Sequence, residues 1–441
     1  MMNTLLTEIL AAREQRVQTQ QTLLTQYHLP LVCFTMNIPG PEKDSPLIRR
    51  AFREGLSQLE ETLDDIVFRQ EAFAITGCEA FFVANMPAAQ LKAVCQQIED
   101  THPLGRLFDM DVLDLSGVKL ERKNQRGCMV CGKPGRFCAA SRAHSAPVLQ
   151  QTVTAMMTDF FARQDGDVVA DFAEKALLDE VHTTPKPGLV DENNQGSHKD
   201  MDIPLFTRSA ESLRPYFLAC FEIGRDHQNL SPEETFSLLR RAGIEAEKQM
   251  FAATGGVNTH KGAVFTMGLL CGSIGRLWQA GIPFAGTEAV LQEAASLAFA
   301  AVQADLSAID TPTTPGEALF LKRGFTGIRG QAAAGFPAIR DISLPAFTQA
   351  LARGNSQNDA AVIALIHLIA QVEDTNLYHR GGSEGAAFAK DAAKALLPNP
   401  DMADVAALDG QFIARNLSPG GCADLLAATL FLSALKNNFP A

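Results

Sequence analysis

The sequence predicts a two-domain chain, an α+β part over residues 1–166 followed by an all-α part over residues 167–441. Three observations lead there. A chain of 441 residues is roughly three times the commonest domain size of ~100–150 residues. Its 46% apolar and 20% charged residues are the balance of a chain that buries a large core rather than a disordered one. Near residue 166 the hydrophobic pattern changes, from strand-like stretches alternating with helices to Ala-rich segments of 3.6-residue period.

In the first part, residues 3–26 read as a helix and Leu31–Ile38 as an apolar strand ended by Pro39-Gly40-Pro41. Pro46–Leu63 is an amphipathic helix with Ser45 placed to cap it. Two strands follow, Ile66–Ile75 and Glu79–Ala84, with Thr76-Gly77-Cys78 as the turn between them, then a helix over Ala88–Glu99 and a strand over Leu107–Leu113. In the second part the periodicity predicts helices over Val168–Val181, Leu205–Ile223, Pro232–Ala253, His260–Ala280, Glu288–Leu306, Asp359–Val372, Ala386–Leu396, Asp404–Asn416 and Ala423–Leu435. No low-complexity linker separates the parts, so the boundary at Gln164–Asp167 rests on composition.

Charge narrows the function classes. The net charge is −12, which disfavours extended binding to nucleic acid. Residues 1–166 carry 17 basic and 19 acidic groups, leaving 21 and 31 for the remainder, so the acidity belongs to the second part. The first thirty residues lack the basic start and apolar stretch of a signal peptide, and apolar runs such as Ala360–Ala370 fall short of the roughly 20 residues a membrane span needs. A cytoplasmic protein is expected. Nine cysteines, an odd number, fit reduced thiols or metal ligands better than a disulfide framework.

The first chemical constellation is Gly105-Arg106-Leu107-Phe108-Asp109-Met110-Asp111. On a strand, residues i and i+2 face the same way, so Asp109 and Asp111 present paired carboxylates. Such a pair suits Mg²⁺ bound with a polyphosphate, as phosphoryl and nucleotidyl transfer require. An isolated Asp-x-Asp also fits a solvated polar face. Downstream, Lys119, Arg122, Lys123, Arg126, Lys133, Arg136 and Arg142 stand against Glu121 alone. This is either a solvated loop or a phosphate cradle, with Arg106, Arg126, Arg136 and Arg142 as candidate phosphate ligands. Within it, Cys128, Cys131, Cys138 and His144 are spaced C-x2-C-x6-C-x5-H, which fits either a structural Zn²⁺ or reduced thiols.

These stretches, with Arg126-Gly127-Cys128-Met129-Val130-Cys131 and Cys138-Ala139-Ala140-Ser141-Arg142-Ala143-His144-Ser145, resemble the apo-citrate lyase phosphoribosyl-dephospho-CoA transferases over nearly all of residues 1–166. The resemblance implies transfer of a phosphoribosyl-dephospho-CoA group from its triphosphate precursor to a serine of the citrate lyase acyl carrier (gamma) subunit, releasing pyrophosphate. It also implies a nucleotidyltransferase-like fold for the α+β domain, with Asp109 and Asp111 catalytic and metal-binding. Related enzymes of malonate decarboxylase look like nucleotidyltransferases with a Gly-Ser upstream of the Asp-x-Asp. Here Thr76-Gly77-Cys78 stands roughly where that dipeptide would fall, so that comparison is partial.

The second part carries five polar, glycine-bearing patches: 184–191 continuing to 196–201, 255–262, 327–330, 373–382 and 418–424. Any one of them reads as a helix cap or turn, but capping needs no cations. Asn258, Thr259, His260 and Lys261 open a helix after two glycines, a natural anion site. Lys186 and Arg329 lie beside glycines and are candidate phosphate ligands; Asp374 and Asp424 are candidate Mg²⁺ ligands. None of the patches is a Walker P-loop.

In this order the patches resemble the triphosphoribosyl-dephospho-CoA synthases, from about Lys175 to Leu435. The resemblance implies condensation of ATP with 3′-dephospho-CoA, adenine leaving the ribose as the dephospho-CoA 2′-hydroxyl attacks, and the local acidity argues for Mg²⁺-ATP rather than free ATP as the substrate. Substitution at an anomeric carbon passes through an oxocarbenium-like state, which asks for a carboxylate base and help to the leaving adenine. Asp191, Asp200, Asp374 and Asp424 are the base or metal candidates, and His198 or His260 the group assisting adenine. Asn376, Arg380, Gly381 and Gly382 complete the candidate nucleotide site. The whole chain then reads as a bifunctional enzyme that makes a prosthetic-group precursor and attaches it. Two other readings stay open: a non-catalytic first domain that docks the carrier, and a zinc-dependent nucleic-acid binder, which the net charge disfavours.

Overall fold

The computed structural model describes residues 2–122 and 124–439, so Lys123 of the basic run lies outside them. The chain divides into two compact units between Gln164 and Asp165, with residues 280–282 joining the first.

In the first unit, α1 (Met2–Tyr27), β1 (Leu31–Met36), α2 (Pro46–Thr62), β2 (Ile66–Ala74), β3 (Gly77–Ala84), α3 (Ala88–Thr101), β4 (Phe108–Leu113) and α4 (Gly135–Ser141) follow one another. The four strands form an antiparallel sheet in the order β2-β3-β1-β4. The turn between β2 and β3 is Ile75-Thr76, one residue earlier than the sequence suggests, because Gly77, at φ +122°, already pairs with Ala74. Ser45 caps α2 as expected, its hydroxyl accepting from Ile48 N–H. One sheet face carries Phe34, Phe108, Met110 and Val112, and Phe34 stacks on Phe52 of α2 at 4.7 Å. The opposite face carries Asp109 and Asp111, in register with Thr35 and Cys33, and then Leu113 and Leu31. There, Leu23 and Leu24 of α1 bury Leu31, Phe81, Val83 and Leu113, leaving the carboxylates beyond the apolar cluster.

β4 is an edge strand, and edges need protection from stray pairing. Side chains supply it: Arg126 donates to Phe108 O at 2.8 Å, buried Glu99 accepts from Met110 N–H at 2.9 Å, and Lys92 donates to Met110 O at 3.2 Å.

Helix α5 (Ala146–His182) runs through the division between the units, so Val168–Val181 is only the last part of a longer helix. Gly166, which interrupts the apolar period in the sequence, is required by packing: a Cβ there would lie 3.0 Å from Leu218 and 3.1 Å from Phe221.

The second unit continues with α6 (Ile203–Asp226), α7 (Pro232–Ala253), α8 (Lys261–Leu277), α9 (Thr287–Ser307), α10 (Pro315–Arg323), α11 (Gly327–Ala333), α12 (Leu344–Ala352), α13 (Gln357–Gln371), α14 (Thr375–Leu396), α15 (Met402–Ala414) and α16 (Gly420–Asn438). All of its named elements are helices. Helices α6 and α8 approach through glycine: a Cβ at Gly224 would lie 2.0 Å from Gly272 O, and one at Gly275 would lie 2.0 Å from Phe221 O. Helices α13 and α16 bury their central turns, residues 360–370 and 425–432.

Two differences from the expected elements matter for the site. Helix α14 begins at Thr375, not Ala386, so the 373–382 patch is a capped helix start followed by a break at Gly382, φ 62° and ψ −160°. The stretch 307–358, to which the sequence reading assigns no helix, holds α10, α11, a π-helical turn at Ala338–Ser343 and α12. Among the described residues no single helix is long and apolar enough to cross a membrane.

Candidate active sites

In the second unit the loops and helix ends converge on one cavity of about 860 Å³, within the ~300–1,000 Å³ usual for small-molecule sites. All five polar patches contribute: Lys186 and His198; Asn258, Thr259, His260 and Lys261; Gly327; Asp374, Asn376 and Arg380; and Asp424. Asp191, Asp200, Arg329, Gly381 and Gly382 are not among its lining residues.

The geometry assigns these side chains distinct tasks. Asp191 is 3% exposed and turned into its own loop, accepting from the N–H groups of Lys186, Asn193 and Asn194. It shapes the turn and is the wrong way round for a base. Asp409, which sequence reasoning missed, ties the same loop down by accepting from Gly188 N–H and Asn194 Nδ2, both at 2.8 Å. Gly188 sits at φ +71°, with room for no Cβ, since Leu417 O would be 2.1 Å away. Asp200 and Arg329 are exposed.

Lys186 corrects the expectation of a free phosphate ligand. It is 1% exposed, and its Nζ donates to Glu180 O and Glu180 Oε1, both at 2.6 Å. A buried ammonium held this way neutralises Glu180 before it meets any ligand. Glu180 also escaped the sequence reading. The signal was present, for it falls on the apolar stripe of α5 with Ala173, Ala176 and Leu177, where a carboxylate needs a reason.

Asp374 is the N-cap of α14. One oxygen accepts from Asn376 N–H (2.8 Å) and Leu377 N–H (3.3 Å), the other from Cys422 N–H (2.8 Å), so this buried carboxylate ties the start of α14 to the start of α16. Three backbone donors leave it little capacity for a reacting group. Asp424 is freer. It stands at the first turn of α8, accepting from Ala263 N–H, and a Cβ on Gly262 would lie 1.9 Å from its Oδ2. The carboxylate therefore takes part of the helix N-terminus that the sequence offered to phosphate. Burial first, then the Glu180 and Asp374 carboxylates, push the Asp424 carboxyl well above its usual range.

His260 is 4% exposed; its Nδ1 lies 2.7 Å from Ser209 Oγ, which is 2.6 Å from Thr259 Oγ1. Its Nε2 has no partner among the described residues. Burial, with Lys186 second, holds the imidazole down at about 3, so it is neutral near pH 7. His198 Nε2 lies 2.9 Å from Ser418 Oγ, and its Nδ1 lies 3.2 Å from the Arg380 guanidinium. Arginine only donates, so Nδ1 accepts and Nε2–H donates to Ser418. Arg380 also donates to Ser197 O at 2.9 Å and Asn416 Oδ1 at 3.1 Å. Lys261 lies 3.0 Å from Glu247 at the cavity rim.

In the first unit, β4 places Asp109 and Asp111 on one face. Lys119 Nζ sits 2.5 Å from Asp111 Oδ2. Although Asp109 is surface-accessible, the protein packed around its carboxyl and, second, the Asp111 carboxylate raise it above the usual range.

The basic run is partly consumed internally. Arg126 serves the β4 edge and also donates to Gly105 O; Arg106 donates to Gly127 O at 2.6 Å; Arg122 pairs with Asp100. Arg136 and Arg142 are exposed. Arg106 and Arg126 therefore act on backbone carbonyls, and a phosphate cradle drawn from this run falls to the exposed cations. Cys128, Cys131, Cys138 and His144 converge, their ligand atoms all within 4.8 Å of one another.

Comparison with known families matches both halves. Residues 4–160 match the model of CitX, apo-citrate lyase phosphoribosyl-dephospho-CoA transferase, and residues 167–441 that of CitG, ATP:dephospho-CoA triphosphoribosyl transferase. Protein CitXG of Haemophilus influenzae is 36% identical over 98% of this chain and 96% of its own length. Protein CitXG of Leuconostoc mesenteroides subsp. cremoris is 32% identical over 98% and 97%. The 2-(5''-triphosphoribosyl)-3'-dephosphocoenzyme-A synthase of Pectobacterium atrosepticum is 42% identical over 58% of this chain and 85% of its own length. With one family matched along each unit, and relatives that match along both, the chain belongs to the CitXG family, a CitX transferase module followed by a CitG triphosphoribosyl transferase module.

Proposed function

We propose that the second unit condenses ATP with 3′-dephospho-CoA, releasing adenine, and that the first unit transfers the phosphoribosyl-dephospho-CoA group to a serine of the citrate lyase acyl carrier subunit, releasing pyrophosphate. The observation that carries the first half is the convergence of all five polar patches on one cavity. Helix caps alone have no reason to share a ligand-sized space.

In that cavity Asp424 is the best-placed base for the attacking 2′-hydroxyl. Its carboxyl is raised and it keeps more acceptor capacity than Asp374. The unpartnered Nε2 of His260 is available to hydrogen-bond the departing adenine. The donor set also fits Mg²⁺, because Asp424 and Asp374 repel each other and a cation between them relieves that repulsion. Bound there, Mg²⁺ would neutralise triphosphate charge.

In the first unit, nucleotidyltransferase-type chemistry at Asp109 and Asp111 is favoured over a docking module, since two neighbouring carboxylates on one strand face, Asp109 raised by burial and then by Asp111, suit a metal-bound pyrophosphate. Mg²⁺ would be held by both residues. The test supplies purified precursor and apo carrier to the Asp109→Asn and Asp111→Asn variants. Loss of holo-carrier formation with adenine release intact supports catalysis at this pair; undiminished transfer removes it.

A further inference from the structure

Apart from the Asp109–Asp111 pair, the first unit gathers a second set of chemistry-bearing side chains. After β4 the chain passes through a tight loop, in which Cys128 N–H donates to Lys133 O at 2.6 Å, Gly132 N–H donates to Cys128 O at 2.9 Å, and Gly127 pairs with Pro134. Gly132 takes φ +71°, which turns the loop back so that Cys128 and Cys131 lie together. Helix α4 then brings up Cys138, and its left-handed C-cap at Arg142, φ 47°, returns the chain so that His144 faces the same point.

The result is a compact set. Cys131 Sγ lies 3.5 Å from Cys138 Sγ and 3.4 Å from His144 Nε2, and all four ligand atoms lie within 4.8 Å of one another. A tetrahedral zinc with Zn–S ~2.3 Å and Zn–N ~2.0 Å places sulfurs about 3.8 Å apart and sulfur and nitrogen about 3.5 Å apart. A disulfide would need its sulfurs at ~2.05 Å. The segment has little else to hold it: Phe137 is 64% exposed, and Cys138 is its only buried residue from 127 to 144. A loop with so small a core is the kind that a metal cross-link stabilises.

We propose that Cys128, Cys131, Cys138 and His144 bind one structural Zn²⁺. The closed set of four protein ligands leaves no open position for catalysis. What the metal secures is the segment leading back to Arg106 and Arg126, which hold Gly127 O, Phe108 O and Gly105 O beside the Asp109–Asp111 strand. Zinc therefore positions the transferase strand and has no bearing on the second unit's cavity.

The test uses the full-length protein, reduced, loaded with Zn²⁺ and dialysed, with metal measured by elemental analysis. One zinc per chain is expected. Replacement by Co²⁺ should give intense thiolate-to-cobalt charge transfer and the d–d bands of a tetrahedral ion. His144→Cys keeps one metal, whereas Cys131→Ser and Cys138→Ser each weaken zinc binding at least about tenfold. Chelation should lower carrier modification and leave adenine release unchanged. Fewer than one zinc per ten chains in the reduced, zinc-loaded parent overturns the proposal, as does a Cys131→Ser, Cys138→Ser double variant that retains as much zinc as the parent.

Discussion

Replacing Lys186 by Met separates the two roles that this lysine has been given. Its ammonium is 1% exposed, and Glu180, its partner, has a side chain 8% exposed. Removing the cation leaves Glu180 buried without its counter-charge and without two hydrogen bonds at 2.6 Å. Breaking a buried pair from one side costs about 3–5 kcal/mol, a large share of the ~5–15 kcal/mol by which domains are stable. The double variant Lys186→Met, Glu180→Gln removes both charges and should recover most of that loss. The assay is built in. Trp278 is the sole tryptophan; it is buried in the second unit, with its indole N–H on Asp165 at 2.7 Å, so urea unfolding followed by its fluorescence reports on that unit. A single variant with an unchanged urea midpoint and a raised KM for ATP would refute the structural role and return Lys186 to the phosphate.

Three further outcomes follow from the same geometry. His260 is protonated in the unfolded chain below about 6.5 but stays neutral in the folded one down to about 3, so the second unit loses stability as pH falls through that window, at up to ~1.4 kcal/mol per pH unit; His260→Asn should flatten this dependence of the urea midpoint. Asp424→Asn should lower adenine release by about 10²–10⁴-fold, the range for loss of a general base, while the urea midpoint does not fall, because the change also relieves repulsion with Glu180 and Asp374. Gly224→Ala should destabilise the second unit by about 1–3 kcal/mol, since its methyl meets Gly272 O at 2.0 Å and pushes α6 off α8.

The N-terminal elements were legible because each announces itself locally: Ser45-Pro46 before an amphipathic run, apolar Leu31–Met36 against a Pro-Gly-Pro stop, and period-two alternation that puts Asp109 and Asp111 on one face. Helix α5 was only half legible. Gln164-Asp165-Gly166-Asp167 looks like a break, and nothing local shows that Gly166 is small because Leu218 and Phe221 press on it. The 315–352 helices were hidden for a related reason, their short runs being cut by Gly324, Gly327, Gly335 and Pro337.

At the sites, sequence found the patches but not the division of labour within them. A lysine beside glycine reads as a phosphate ligand until the fold sets Glu180 against it. An arginine in a basic run reads the same way until an exposed strand edge claims it. Likewise, Asp374 and Asp424 look equivalent in sequence, yet the starts of α14 and α16 direct three N–H groups at Asp374, while Asp424 accepts from Ala263 N–H at the start of α8.

The most direct test of a two-reaction chain is the mass of apo acyl carrier subunit incubated in one vessel with the full-length protein, ATP and 3′-dephospho-CoA. A serine of the carrier should gain one phosphoribosyl-dephospho-CoA group, only when both small substrates are present and with free adenine released in equal amount. Adenine release with no change in carrier mass, or ADP in place of adenine, would contradict it.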